Sequence, residues 1–189
     1  MQAVVVQARS GSVEAFAEVY RIYQAGVYTF ILSQVREPEL AADLTQQTFV
    51  RAWESLHGLR QAGAFRGWLH RIAANLVRDE VKSGRARLEV TVGQLTDDNT
   101  PQTPIATDGG PEDAALRSEL RRQVWSALKS LPAEQRGAVV MHHLEGMPVS
   151  EIAQAMGVRP GTVMSRLARA REALRKRLSQ YVEAEARDM

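Results

Sequence analysis

The 189-residue sequence contains no cysteine. That excludes a disulfide framework and a thiolate metal site, and it suits a reducing compartment. Long apolar runs are missing too. No stretch approaches the roughly 20 residues that span a bilayer, and the opening MQAVVVQARSGS lacks a signal peptide's charged start and long apolar centre. A cytoplasmic protein with no membrane insertion is expected, with a disordered start. Histidine is scarce, represented by His57, His70 and the adjacent pair His142-His143. Neighbours on a helix do not face one another, so neither metal-ligand nor triad spacing emerges. A glycine-rich phosphate loop and internal repeats are absent as well. The expectation is a protein that is not an enzyme, with no catalytic residue, metal or cofactor.

What remains is helical patterning. With 44% hydrophobic residues the chain can bury one substantial core or two small ones, and the order of patterns along it favours two. Ser12 caps a first helix through Val13, Phe16, Val19, Tyr20 and Tyr23, and Val27, Phe30, Ile31 and Val35 continue its apolar pattern. Pro38 interrupts. The next helix places Leu44, Phe49, Ala52, Trp53 and Leu56 on a core face and Asp43, Gln46, Gln47, Val50 and Glu54 on another. His57 to Phe65 has two glycines and no helical period, so it reads as a loop. From about Gly67 a further helix buries Leu69, Ile72, Ala73 and Leu76. Its far side carries Arg71, Asn75, Arg78 and Lys82, either a phosphate-facing stripe or a solvated face.

Charge is segregated. The net value is only +2, with an isoelectric point near 9.2. Glu89 to Asp113 has six acids, three prolines, three glycines and no lysine or arginine, which predicts a flexible acidic linker. Helical pattern resumes at Ala114, and Ser130-Leu131-Pro132 opens another helix that ends near Glu145-Gly146. From Met147 the sequence reads as a helix-turn-helix: Ser150 as N-cap, Gly157 as left-handed stop and Pro160 opening the second helix. Val163, Leu167, Ala170, Leu174 and Leu178 form its buried stripe. Opposite lie Gly161, Met164, Ser165, Ala168, Arg169 and Glu172, flanked by Thr162, Arg166 and Arg171. Between Arg159 and Leu178 seven basic residues face one acid. That excess suits a polyanion, although a solvated arginine-rich helix is the bland alternative. Trp53, Trp68 and Trp125 read as core anchors. The fold expected is all-α, two small helical domains (1–88 and 114–189) joined by a linker (89–113), the C-terminal one a helix-turn-helix.

Four stretches carry a family resemblance: AFAEVYRIY, DLTQQTFVRAWESL, AFRGWLHRIAANLVRDEVK, and the run from Leu131 to Leu178 with its LP, EG, EIA, GTV, SRL and RAR elements in order. Together they resemble the extracytoplasmic-function sigma factors, the smallest promoter-recognition subunits of bacterial RNA polymerase. The resemblance implies core RNA polymerase, promoter DNA and an anti-sigma factor as partners. It implies that Asp43, Gln46, Gln47, Phe49 and Val50 belong to the polymerase-binding segment. His57 to Arg66, with Leu59, Arg60 and Phe65, looks like the loop that captures a flipped minus-10 base. Asn75 looks like a residue lining that pocket, and Arg71, Arg78 and Lys82 suit the melted strand beside it. Thr162, Met164, Ser165, Arg166, Ala168, Arg169 and Arg171 fall where the minus-35 duplex is read. Two departures stand out: Gln47 where glutamate is frequent, and Met164 where a basic residue is. The rival reading is a helix-turn-helix regulator that is not a polymerase subunit. Such a regulator has no reason to contain the AFRGWLHRIAAN helix with its preceding loop. A protein module sequestered by a partner is compatible with the first reading.

Overall fold

A computed structural model describes residues 1–88 and 122–185, with side chains for 1–83 and 122–179. The expected linker and the helix start at Ala114 lie outside the described residues. The described residues form helices and turns, with no strand among them. In chain order these are α1 (Gln2–Arg9), α2 (Val13–Val35), α3 (Pro38–Ser55), α4 (Phe65–Leu88), α5 (122–129), α6 (Ala133–Val139), α7 (Val149–Met156) and α8 (Pro160–Glu185). Short 3-10 turns at Leu56–Gly58 and Ala62–Ala64 join α3 to α4, and a π turn at Val140–Leu144 extends α6.

The N-terminal half is built on α2. Ser12 caps it as expected, its hydroxyl accepting from the Ala15 N–H at 3.1 Å. Its Val19, Val27, Phe30 and Ile31 are buried with Leu44 and Ala52 of α3 and with Leu69, Ala73 and Leu76 of α4. Each large side chain of this kind contributes about 1.5–3 kcal/mol on burial. The disordered start expected before Ser12 is instead helix α1. Val5 and Ala8 are buried and Val4 is partly so, giving the short helix an apolar edge to lay on α2. An isolated helix of this length is marginal in water, so tertiary contact is what holds it.

In the C-terminal half, Trp125, Leu128, Leu131, Val140, Met141, Met147, Ile152, Val163, Leu167 and Ala170 are buried around α6, α7 and α8. Pro132 precedes α6, as the Leu131-Pro132 pair predicts. Arg136 is buried in this half, donating to the Leu131 carbonyl at 2.9 Å and the Lys129 carbonyl at 3.3 Å. Burial, and then the nearby Arg36 charge, lowers its pKa to about 10, so it stays charged at neutral pH.

The halves pack together, α4 against α7 and α2 against α6. Gly67 eases the first contact: a Cβ there would lie 3.2 Å from the Glu151 carbonyl oxygen, so a larger residue would need α7 to give by a few tenths of an ångström. At Gly26 a Cβ would lie 2.8 Å from Glu145 Oε2. Arg66 donates to the Glu145 carbonyl. The buried His70 ring has Nε2 2.7 Å from Glu145 Oε2 and Nδ1 3.0 Å from the Arg66 carbonyl. Arg36 ends α2 in the left-handed conformation (φ 67°), and its Nη2 crosses to the Lys129 carbonyl at 2.8 Å.

Candidate nucleic-acid interfaces

Gly157 takes φ 66° and stops α7 as expected, its N–H bonding back into the helix. The cap differs from expectation. Ser150 lies inside α7, which starts at Val149 after Pro148, because the extended proline already sets the direction of the first turn. Pro160 opens α8. Val163, Leu167 and Ala170 are buried and Leu174 half-buried, but Leu178 is exposed because α8 runs on past the body it packs against.

On the other side of α8, Thr162, Met164, Ser165, Ala168 and Arg169 are all exposed, Met164 at 62%. Arg169 has no bonded partner among the described residues. With Ala168, Glu172, Ala173 and Lys176 it lines a shallow depression. Glu172 would repel a phosphate, but Arg175 lies 3.1 Å away and Lys176 3.6 Å away. The hydrogen bond from Arg175, with its charge, lowers the Glu172 pKa and keeps the carboxylate paired. Arg171 is exposed. Arg166 is different: its guanidinium pairs with the Glu134 carboxylate and lies 3.8 Å from Met156 Sδ, so it ties α8 to α6 and α7.

The second polar surface is on α4. Arg71, Asn75, Arg78 and Lys82 are exposed along one line that continues from Gly67, where the start of α4 meets α7. Arg78 Nη1 donates to Asn75 Oδ1 at 2.9 Å, which occupies the amide oxygen and leaves the amide N–H groups to face outward. Before α4, the expected loop is two tight turns around an extended segment. Leu59 and Phe65 are buried anchors, Phe65 lying 5.3 Å from the Tyr23 ring and 5.7 Å from Trp68. Arg60 is exposed. Arg9 of α1 reaches under this segment, its Nη1 3.0 Å from the Leu59 carbonyl and 3.4 Å from that of Arg60. Sequence reasoning missed Arg9, because the link spans 50 residues and follows no local period.

A third surface lies on α3. Asp43, Gln46, Gln47 and Val50 are exposed, and Gln46, Gln47, Val50, Arg51 and Glu54 line a shallow depression. Phe49 is buried beneath them, 4.7 Å from the Tyr20 ring. Trp53, expected in the core, is 37% exposed and leans on Phe16 at 4.8 Å, since Phe49 and Ala52 already fill the space against α2. Trp68 is half-buried and Trp125 buried.

A basic recognition face on a helix-turn-helix and a second basic and amide stripe on α4 together define a helical DNA-binding protein. The Sigma-70 region 2 family matches residues 19–87 and the Sigma-70 region 4 family residues 121–174. Among curated relatives, the sigma factor BldN of Streptomyces coelicolor is 35% identical over 86% of this chain, which spans 60% of BldN's length. SigW of Bacillus subtilis is 31% identical over 91% of this chain and 93% of its own. CnrH, solved in complex with the cytosolic domain of CnrY, superposes with a TM-score of 0.69 at 26% identity, covering 95% of this chain and 97% of CnrH. The chain belongs to the extracytoplasmic-function (ECF) RNA polymerase sigma factors.

Among the described residues no helix is long and apolar enough to cross a membrane, and no group of histidine, aspartate and glutamate could hold a metal ion.

Proposed function

We propose that this chain directs core RNA polymerase to specific promoters, acting in the cytoplasm with no catalytic residue of its own. Residues 1–88 form a unit for polymerase binding and for minus-10 recognition and melting. Residues 114–189 form the unit for minus-35 recognition, and 89–113 link the two. Thr162, Met164, Ser165, Ala168 and Arg169 face the minus-35 major groove, with Arg171 at the phosphates and Arg166 bracing the helix. Met164 and Ala168 offer contact to thymine methyls, whereas Ser165 and Arg169 offer hydrogen bonds. Arg60 and Asn75 read the melted minus-10 strand; Arg71, Arg78 and Lys82 neutralise its phosphates, and Leu59 and Phe65 hold the loop. Asp43, Gln46, Gln47 and Val50, supported by Phe49, meet the polymerase. The observation that carries the reading is two separate exposed DNA-type faces in one chain, one on a helix-turn-helix and one on a loop and helix suited to single strands.

CnrH was solved in complex with the cytosolic domain of CnrY, and a protein partner of the anti-sigma class is proposed to hold this chain. The test is reconstitution with core polymerase and run-off transcription on a genomic promoter pool. The purified chain should confer promoter-specific initiation, and Asp43→Arg with Gln46→Ala should weaken retention on core polymerase while the fold stays intact. Promoter binding without any polymerase association would leave a simple helix-turn-helix regulator as the better account.

A further inference from the structure

Resting on the assignment of residues 57–66 to minus-10 readout, we propose that Arg9 is a positioning residue that fixes the reading loop. Between its two tight turns this loop is extended, with Leu59 at φ −71°, ψ 112° and Gln61 at φ −126°, ψ 119°. Extended backbone has no helical partner for its carbonyls. Neither the Leu59 nor the Arg60 carbonyl accepts a backbone N–H among the described residues. Arg9 Nη1 reaches both, at 3.0 and 3.4 Å. Donors that carry charge make the stronger class of hydrogen bond.

Helix α1 is placed to hold that donor still. Val5 and Ala8 are buried, and the helix packs on α2 and on both turns of the loop. Its two ends sit over the two ends of the loop. At one end Gln2 Nε2 lies 3.2 Å from where a Cβ of Gly63 would be; at the other, Arg9 grips Leu59 and Arg60. Arg9 is also the last residue of α1, where the helix dipole favours a cation. Its guanidinium is engaged with carbonyls rather than offered outward, so its effect on DNA passes through the loop. Arg60 and Gln61, both exposed, ride on the backbone it fixes. A loop with fewer orientations loses less freedom when it captures a base, and it rejects a wrong base more sharply.

The test uses holoenzyme assembled with the full chain on promoters that match the preferred minus-10 element or differ from it by one base. The readout is the ratio of open complex formed on the two. Arg9→Met keeps the aliphatic stem but loses the donor, and it should lower this ratio roughly three- to tenfold, the equivalent of one hydrogen bond. Minus-35 duplex binding and retention on core polymerase should not change. Arg9→Lys keeps the charge without the planar guanidinium and should fall between the two. If Arg9→Met weakens opening equally on both promoters, or only in step with lost thermal stability, Arg9 is structural and the proposal fails. Full rescue by lysine together with a reduced salt dependence in Arg9→Met would make it a phosphate contact instead. Arg60→Ala is the control for the loop itself. Altered base preference in Arg60→Ala but not in Arg9→Met sinks the Arg9 proposal alone; no change in either sinks the minus-10 assignment of the loop as well.

Discussion

The outer face of α8 and the loop before α4 present polar side chains on different supports. On α8 the backbone bonds to itself, and Val163, Leu167 and Ala170 fix the helix from beneath, so Ser165, Ala168 and Arg169 project in directions set by helical geometry. The loop has no such internal ladder. It is fixed from outside, by Leu59 and Phe65 buried below and by Arg9 reaching its carbonyls. Damage to a helical reader should therefore stay at the substituted side chain, whereas damage to the loop's supports should spread to every residue it carries.

The largest effect should come from those supports. Phe65→Ala removes a fully buried ring at the junction of loop and helix and should cost about 3–5 kcal/mol in chemical denaturation of the full chain. A loss under about 1 kcal/mol would mean that the junction is not fixed by packing. On the helical side, Arg169→Ala should cost about 1–3 kcal/mol in binding a minus-35 duplex and relax preference at one or two positions, with the melting temperature unchanged. A fall in melting temperature would erase the contrast between the two supports.

A smaller effect sharpens the comparison on α4 itself. Because Arg78 holds the Asn75 amide oxygen, the two should act as one unit. Asn75→Ala and Arg78→Ala should each impair opening and loosen minus-10 base choice, leaving minus-35 binding intact. A double-mutant cycle should return a coupling of about 1 kcal/mol. Strict additivity would show that Arg78 serves phosphates alone. Smallest is Lys82→Ala, which should weaken opening uniformly across promoters and reduce the salt slope by about one phosphate contact. A change confined to one promoter sequence would contradict that role.

Much of this was legible in the sequence, and the rest was not, for identifiable reasons. The period of three and four picked out Val163, Leu167 and Ala170 correctly because a helix packed on one side must repeat that way. Leu178 followed the same period but lies beyond the supporting body, and periodicity does not say where a neighbour ends. Helix α1 is too short to show a period, its three consecutive valines hide which side is buried, and its support comes from α2 and the distant loop. The Arg78 to Asn75 bond spans three residues, a readable spacing, although arginine had open water as an alternative. The closeness of α4 to α7 is eased by what Gly67 lacks, and a glycine in a helical stretch reads first as a weak point.

Arg36 has a consequence of another kind. Its left-handed backbone costs a non-glycine residue roughly 1–2 kcal/mol wherever α2 is folded. Its bond to the Lys129 carbonyl exists only while the two halves touch. Replacing it with glycine relieves the first in every state of the chain; in the packed form alone it removes the second, offset in part by loss of the Arg36 charge beside Arg136. Arg36→Gly should therefore favour forms with the halves apart over the packed form. One substitution, remote from all three exposed surfaces, becomes a bias on separation that leaves the reading side chains in place.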